Sequence, residues 1–281
     1  MHEARRKGEG PGIRLRGAAP ADRPQVFREI YDDLLRELVS ERGRGDPIAL
    51  QMGTNLKFAS FVRRAVGSGK RVLEIGCGFG ATAFQVGAGR NEVFGVDTAP
   101  IAVEVATELA AGRPNFRFAV MDAAHLEFPD GHFDAAYSID MLEHLHPDDV
   151  LVHLREVHRV LKEDGFYFVK TPSILSGPHG GSDPDDPGCP HLQEYTYGTL
   201  LPILRQAGYE GFYAPSFSMR VSSRLPGRPR FPASINRLPE AIARLAPRRS
   251  ATQTFLSRFL GVKQVMIVAE KRKGRRRPPA A

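Results

Sequence analysis

Hydrophobic positions recur first at helical spacing and then in short apolar runs that alternate with helical segments. Apolar side chains return every three or four residues from Phe27 to Leu38, and a second amphipathic stretch covers residues 55–66 before a Gly-Ser-Gly turn. This spacing predicts two amphipathic helices near the N-terminus. Downstream, the pattern predicts strands at 71–75, 92–96, 116–120, 133–139, 165–170, 211–216 and 263–269, and helices at 81–86, 101–111 and 148–161.

This alternation of strands and helices indicates an α/β fold with a doubly wound sheet. Strands joined by helices pair in parallel, because each right-handed crossover returns the chain to the same edge of the sheet. Ligands of such sheets bind beyond the carboxyl ends of the strands. We therefore look for functional residues where the predicted strands end.

Composition along the chain predicts one domain at 25–270 between two disordered ends. Residues 1–24, rich in Gly, Arg and Pro, form a predicted disordered lead-in, and residues 25–69 form a helical cap. Between the last two strands, the Pro-rich segment 220–260 is a predicted insertion or lid. Residues 271–281 form a predicted basic disordered tail.

The net charge of +7 is concentrated in that tail, so the folded body is nearly neutral. Six positive charges come from Lys271, Arg272, Lys273, Arg275, Arg276 and Arg277. A solvated tail is the favoured interpretation, and a phosphate-binding arm is the alternative.

Cysteine content and hydropathy indicate a cytoplasmic protein. Cys77 and Cys189 are far apart and outside any C-x-x-C pair, so nothing indicates a disulfide framework or a thiolate metal site. No apolar run has the length of a signal-peptide core or a membrane-spanning helix. We expect a soluble protein with no membrane partner, whereas its oligomeric state is not predicted.

The first candidate chemistry follows the first predicted strand, in Glu74-Ile75-Gly76-Cys77-Gly78-Phe79-Gly80. Glycines here allow a sharp turn and the close approach of a ligand to the backbone. With Ala81 the loop also fits the looser dinucleotide pattern G-x-G-x-x-A, so an NAD enzyme is an alternative. Glu74 argues against it, because a carboxylate repels a pyrophosphate but suits a ligand with a positive amino group or sulfonium.

Two further acids follow the next predicted strands. Asp97 ends the second strand, about where a carboxylate can accept hydrogen bonds from ribose hydroxyls. Asp122 follows the third strand, where its side chain and the next backbone amide are placed to contact an adenine edge. Either acid alone is also typical of a turn or a helix cap. Together with Glu74 they predict a nucleoside site with a cationic neighbour.

This array, followed by Phe133-Asp134-Ala135-Ala136-Tyr137-Ser138 and by the stretch from Glu156 to Gly165, resembles the class I methyltransferases that use S-adenosylmethionine. The resemblance runs from about residue 70 to residue 208. It implies a Rossmann-like, mostly parallel sheet of seven strands whose last strand is antiparallel. The implied cofactor-binding residues are Glu74, Gly76, Cys77, Gly78, Asp97, Thr98, Asp122, Ala123 and Ser138.

A second cluster, Asp140-Met141-Leu142-Glu143-His144, follows the fourth predicted strand. A helix here brings Asp140, Glu143 and His144 together, and carboxylate and imidazole groups suit a divalent cation. The cluster resembles the E-x-x-E-H motif of ubiquinone-pathway O-methyltransferases and small-RNA 2′-O-methyltransferases, with Asp140 at the position of the first glutamate. His191 begins a stretch that resembles the H-x-F-E-W-T segment of the RNA enzymes.

From this resemblance we predict Glu143, His144 and His191 as catalytic residues. The same three residues and Asp140 are the predicted ligands of a divalent metal, and His144 as a pocket residue or general base is the metal-free alternative. His153 and His158, in the predicted helix 148–161, are expected to be surface or packing residues.

These features together predict methyl transfer from S-adenosylmethionine to a small-molecule acceptor, at oxygen. An RNA ribose 2′-O-methyltransferase is one alternative, supported by the histidine cluster and the basic tail. A catalytically silent S-adenosylmethionine-binding module is another. The acceptor itself is not predicted, because residues 1–69 and 220–260 lie outside the resemblance.

Overall fold

The computed structural model describes residues 10–46, 56–175, 188–214, 231–232, 237–246, 252–253, 255 and 264–272. The strands are β1 Arg71–Ile75, β2 Glu92–Asp97, β3 Phe116–Val120, β4 Phe133–Ile139, β5 Leu161–Pro172, β6 Gly211–Ala214, β7 Phe231–Pro232 and β8 Gln264–Glu270. The helices are α1 Pro11–Arg16, α2 Arg23–Arg42, α3 Leu56–Val66, α4 Ala81–Gly87, α5 Pro100–Leu109, α6 Val150–Val160, α7 Tyr197–Gln206 and α8 Arg237–Ala243. Short 3₁₀ helices cover Leu142–His144 and Pro147–Asp149.

The strands form one sheet in the order β3-β2-β1-β4-β5-β8-β6-β7. Strands β1 to β5 pair in parallel, and β8 lies antiparallel between β5 and β6. The predicted doubly wound sheet with an antiparallel last strand is confirmed, and the structure adds the two-residue edge strand β7. The chain reverses its direction of progress between β1 and β4, which places a topological switch point beyond Ile75.

The sheet is covered by helices on both faces, as the apolar runs of its strands require. Leu73 of β1 packs in the core cluster that contains Leu154 of α6 and Leu200 of α7. Its neighbour Val72 packs in the opposite cluster, with Phe58 of α3. Adjacent residues of one strand thus face opposite helical layers, which fixes the orientation of β1 in the sheet.

The N-terminal segment differs from the prediction of a disordered lead-in over 1–24. Helix α1 covers Pro11–Arg16, and Leu15 is fully buried. Arg23, which opens α2, is also buried and forms ion pairs with Asp148 and Asp149. These few anchoring residues contact parts of the chain that are distant in sequence, so local composition did not reveal them. Residues 1–9 lie outside the described part of the chain.

The insertion predicted at 220–260 is described only in part. Glu240 of α8 accepts hydrogen bonds from the N–H groups of Tyr197 and Gly198 at the start of α7, which anchors α8 to the domain. The predicted basic tail lies outside the described residues from residue 273 onward. Among the helices described, none has both the length and the apolarity required to cross a bilayer.

Candidate active site

The loop after β1 is built on three glycines in the left-handed backbone region. Gly76, Gly78 and Gly80 have φ values of 73°, 50° and 82°, which favour glycine over every other residue. A Cβ atom at Gly76 would lie 2.6 Å from the side chain of Met141, so the loop passes close beneath the segment after β4. The loop leads directly into α4, as the predicted strand-turn-helix requires.

Asp97 joins this loop to the end of β2. Its carboxylate accepts hydrogen bonds from the N–H groups of Gly78, at 2.9 Å, and Ala99, at 3.0 Å. Burial raises the pKa of Asp97, whereas these backbone donors act in the opposite direction. The carboxylate predicted for the ribose therefore lies beside the glycine loop, and Thr98 follows it at the edge of the sheet.

Glu74 lies beneath the same loop and is buried. The Thr82 hydroxyl donates to one of its carboxyl oxygens, while Oε2 has no hydrogen-bond partner among the described residues. Burial raises the pKa of Glu74 to about 8. A buried carboxyl group with an unpaired oxygen fits a site whose ligand brings positive charge.

Asp122 and Ala123 lie at the end of β3, next to β2 in the sheet. Asp122 accepts a hydrogen bond from the N–H of Ala124 at 2.9 Å, and its Oδ2 lies 3.2 Å from Nδ1 of His125. Its side chain remains 29% exposed, so the carboxylate is accessible at this edge. Glu74, Asp97 and Asp122 therefore occupy the ends of three adjacent strands.

A second polar group lies beyond β4 and β5. Glu143, His144 and His191 each offer a ligand atom, and these atoms lie within 4.8 Å of one another. Glu143 is fully buried, and its Oε2 accepts a hydrogen bond from the Thr171 hydroxyl at 2.9 Å. Its Oε1 lies 4.0 Å from Nε2 of His144 and has no hydrogen-bond partner in the part of the chain that the structure describes.

The imidazole of His144 faces both Glu143 and the N-terminal helix α2. Its Nδ1 lies 2.8 Å from the Tyr31 hydroxyl and 3.3 Å from the carbonyl oxygen of Pro190. Burial and the neighbouring His191 lower the pKa of His144 to about 3, so this ring is neutral at physiological pH. Because 23% of its side chain is exposed, His144 remains reachable from outside, unlike Glu143.

His191 lies edge-on to His144, with ring centroids 4.6 Å apart. Its Nδ1 is buried and has no hydrogen-bond partner within the described ranges, and burial lowers the pKa of the ring. Its segment is held against Glu143 by the N–H of Leu192, which donates to the Glu143 carbonyl at 2.8 Å. The three predicted catalytic residues are therefore neighbours, although sequence separates His191 from the other two.

Asp140 lies outside this group because its carboxylate contacts a neighbouring lysine, and its role as a metal ligand stays a prediction. The helix assumed at this position begins only at Leu142, and Asp140 has a left-handed φ of 50°. Both of its carboxylate oxygens contact Nζ of Lys170, at 2.6 and 2.8 Å. Lys170 is almost completely buried, so Asp140 serves as its counter-ion.

Ser138 is predicted to bind the cofactor, but in the structure its side chain points into the core. It is fully buried, and its hydroxyl lies 2.7 Å from the hydroxyl of Tyr167 in the core. Sequence reasoning missed Tyr31 and Thr171, which contact the candidate catalytic group, and Lys170, which pairs with Asp140 beside it. Each stands in an ordinary helix or strand pattern, so nothing in the sequence marks its side chain as functional.

A separate recess of about 320 Å³ lies at the opposite edge of the sheet. Its lining includes Lys70, Asp134 and Lys162, close to where β1 and β4 begin. It therefore shares no residue with the two polar groups described above.

Comparison with known proteins identifies methyltransferases as relatives of this chain. A protein-family model described as a methyltransferase domain matches residues 73–169. The O-methyltransferase cnsE of Penicillium expansum is 30% identical over 210 residues, which cover 68% of this chain and 73% of that protein. The 2-methyl-6-phytyl-1,4-hydroquinone methyltransferase of Synechocystis sp. is 36% identical over 102 residues, which cover 36% of this chain and 31% of that protein. The match thus spans about a third of the length of the Synechocystis enzyme.

A solved structure extends the similarity to most of the fold. Phosphoethanolamine N-methyltransferase 2 of Haemonchus contortus, in complex with S-adenosyl-L-methionine, superimposes with a TM-score of 0.62 at 19% identity. The alignment covers 92% of this chain and 61% of the other. At this level of identity the likeness concerns the fold alone.

Proposed function

We propose, since this chain belongs to the class I S-adenosylmethionine-dependent methyltransferases, that it methylates a hydroxyl oxygen of a small-molecule acceptor. The observation that carries the proposal is the position of two polar groups beyond the same ends of the strands. Acidic residues at the ends of β1, β2 and β3 form one group, and Glu143, His144 and His191 form the other. A donor and an acceptor bound at these two groups would meet above β1 and β4.

On the donor side, this chain's residues would bind and orient S-adenosylmethionine. Asp97 would accept hydrogen bonds from the ribose, and Asp122 with the N–H of Ala123 would contact adenine. The buried carboxyl of Glu74 would lie near the positively charged end of the ligand, which gives its unpaired oxygen a compensating charge. When bound, the cofactor supplies a methyl group on a cationic sulfur.

On the acceptor side, the hydrogen bonds around His144 support the tautomer that carries its proton on Nδ1. The carbonyl of Pro190 can only accept, and it lies 3.4 Å from the Tyr31 hydroxyl and 3.3 Å from Nδ1 of His144. A proton on Nδ1 lets His144 donate to the Tyr31 oxygen, while Tyr31 donates to Pro190. This arrangement leaves Nε2 with a free lone pair, on the side of Glu143.

The proposed reaction is a direct displacement at the methyl carbon. S-adenosylmethionine, held by Glu74, Asp97 and Asp122, would supply the methyl group to the acceptor oxygen, and the electron pair of the broken sulfur–carbon bond would stay on sulfur. The acceptor's proton passes to Nε2 of His144, and the carboxylate of Glu143 stabilises the imidazolium that forms. His144 is a weak base, because its pKa is about 3. It suffices when Glu143 is ionised, since in-line placement of acceptor and methyl group supplies much of the acceleration.

Two features support oxygen and a small acceptor over the alternatives. The relative that matches most of this chain is named an O-methyltransferase. The side chain of His144, which would meet the acceptor, is only 23% exposed, and this favours a small molecule over an RNA strand. The RNA alternative is supported by the histidine cluster and by the basic tail, of which residues 273–281 lie outside the described part of the chain.

A divalent cation fits the described residues poorly, so no step is assigned to one. With Asp140 paired to Lys170, only three of the four predicted ligands lie together. The ammonium of Lys170 already provides positive charge beside this group. A metal-independent reaction is therefore proposed.

The proposal is tested by binding and by turnover. Calorimetric titration with S-adenosylhomocysteine should give saturable binding that Asp97→Ala abolishes. Asp134→Ala is a matched control, because Asp134 also accepts a backbone N–H, from Arg71 at 2.9 Å, but at the opposite edge of the sheet. Incubation with labelled S-adenosylmethionine and a panel of phenols, hydroquinones and amines should then give an O-methylated product. Binding without turnover would favour the alternative of a catalytically silent S-adenosylmethionine-binding module. Absence of binding would refute the proposed cofactor site.

A further inference from the structure

A buried chain of hydrogen bonds connects the end of β4 with the turn after β3. The Ser138 hydroxyl lies 2.7 Å from the Tyr167 hydroxyl, which lies 3.0 Å from Nε2 of His153. Nδ1 of His153 lies 2.8 Å from the carbonyl oxygen of Ala123. His153, Tyr167 and Ser138 are buried, so the two bonds between their side chains are shielded from bulk water, while the bond to Ala123 is partly buried.

The Ala123 carbonyl fixes the direction of the whole chain. A carbonyl oxygen only accepts, so Nδ1 of His153 must carry the proton and Nε2 must accept. Tyr167 therefore donates to His153, and its oxygen accepts the proton of Ser138. The lowered pKa of His153, to about 4 through burial, keeps this neutral form at physiological pH.

The peptide group between Ala123 and Ala124 is held by two hydrogen bonds, one at its carbonyl oxygen and one at its N–H. The carbonyl of Ala123 accepts from His153, while the N–H of the same peptide group, on Ala124, donates to the carboxylate of Asp122. Rotation of this peptide group would break both bonds. The orientation of the Asp122 carboxylate is therefore linked to His153, which sits on the far side of the turn.

We propose that His153 is a positioning residue for adenine recognition. It holds the turn at residues 122–124 so that the Asp122 carboxylate and the Ala123 N–H face the cofactor. The inference rests on the proposed function, because it assigns adenine to this turn. A histidine that was expected to pack or face solvent thereby gains a specific role.

Two substitutions of His153 by amide residues test its two hydrogen bonds one at a time. In His153→Asn the amide nitrogen of the new side chain takes the place of Nδ1, so this variant retains the donor to Ala123 and loses the contact with Tyr167. In His153→Gln the amide takes the place of Nε2, so the contact with Tyr167 is retained and the donor to Ala123 is lost. His158→Gln, on the same helix, is the control, because His158 packs against Tyr209 instead of the turn.

The readout is the affinity for S-adenosylhomocysteine and for the analogue that carries hypoxanthine in place of adenine. His153→Gln should weaken S-adenosylhomocysteine binding about five- to tenfold, the effect of one lost buried hydrogen bond, and should lower the preference for adenine. His153→Asn and the control should retain the preference of the unmodified protein. A purely structural role would weaken both ligands by the same factor.

The outcomes distinguish this inference from the proposed function. If the unmodified protein binds no S-adenosylhomocysteine, the proposed function fails. If it binds and Asp97→Ala abolishes binding, yet His153→Gln keeps the full preference for adenine, the inference alone is overturned. Should His153→Gln fail to fold, His153→Leu decides, because it also removes the donor to the Ala123 carbonyl and should lower the same preference; an unchanged preference there overturns the inference as well.

Discussion

The hydroxyl of Tyr31 lies 2.8 Å from Nδ1 of His144, so the N-terminal helix α2 contacts the imidazole that follows β4. The next residue, Asp32, accepts a hydrogen bond from the N–H of Ile101 at 2.7 Å, at the start of α5. Consecutive residues of α2 therefore contact the acceptor side and the helix that follows Asp97. This position makes α2 a cover over both halves of the candidate site.

The first prediction concerns the Tyr31 hydroxyl. Tyr31→Phe keeps the ring, which packs edge-on against His144, but removes the nearer acceptor for the Nδ1 proton and leaves the Pro190 carbonyl at 3.3 Å. We expect kcat to fall about tenfold, the loss of one hydrogen bond that orients the ring, with little change in the affinity for S-adenosylhomocysteine. Steady-state kinetics and calorimetry measure the two quantities.

Tyr209→Phe is the matched control for this substitution. The Tyr209 hydroxyl is buried and has no hydrogen-bond partner among the described residues, so its removal should not lower kcat. Equal losses in the two variants would show that Tyr31 acts only through packing.

The second prediction concerns Glu74 and the pH dependence of stability. Its pKa is about 8 in the folded state, against the ordinary value of 4.5 expected after unfolding. Between these values the folded protein binds the extra proton, so its stability falls as pH rises from about 5 to about 8. Glu74→Gln removes the contribution of Glu74 to this dependence, so the gain in stability of the ligand-free variant over the unmodified protein should be larger at pH 9 than at pH 5.

Urea unfolding of the ligand-free protein at pH 5, 7 and 9 provides the measurement. Part of the slope should persist in Glu74→Gln, because burial raises the pKa of Glu143 to about 8 as well. Glu163→Gln, at an exposed position, is the control. An unchanged slope in Glu74→Gln would mean that Glu74 is ionised in the folded protein.

The donor side of the site was more predictable from sequence than the acceptor side. Gly76, Gly78 and Asp97 lie in or directly after strands, where a short local pattern determines both conformation and position. The turn at Asp122 follows the same rule. Parallel pairing then brings these strand ends together without any further information.

The acceptor side depends on contacts between residues distant in sequence. Tyr31 reaches His144 across more than a hundred residues, and Lys170 meets Asp140 only because β4 and β5 are neighbours. The helical spacing assumed for Asp140 failed because the backbone turns through a left-handed conformation there. Such contacts follow from tertiary packing, which no local pattern encodes.

The third prediction concerns the ion pair between Asp140 and Lys170. Asp140→Ala leaves the buried ammonium of Lys170 without its counter-ion and should destabilise the protein by about 3 kcal/mol. The double variant Asp140→Ala, Lys170→Met removes both charges and should recover much of this loss. Chemical unfolding of the two variants makes the comparison.

Treatment with EDTA tests the proposal that the reaction needs no metal. If no metal is bound, EDTA should change neither the stability nor the turnover of the unmodified protein. Turnover that disappears with EDTA and returns with added Mg²⁺ or Mn²⁺ would restore the metal hypothesis for Glu143, His144 and His191.

The fourth prediction concerns Glu143 as the partner of His144 in proton transfer. Burial raises the pKa of Glu143 to about 8, with Asp140 adding to the effect, so its carboxylate forms as pH rises through 8. Only the ionised form stabilises an imidazolium at His144, so kcat/KM should rise with pH and level off above about 8. Glu143→Gln should lower kcat/KM by about a hundredfold, within the range of general-base effects, and should remove this rise. The ionisation of a phenolic acceptor would persist in the variant, so any rise common to both proteins belongs to the substrate. An unaltered profile in Glu143→Gln would show that Glu143 is confined to its structural contact with Thr171, leaving His144 to act without it.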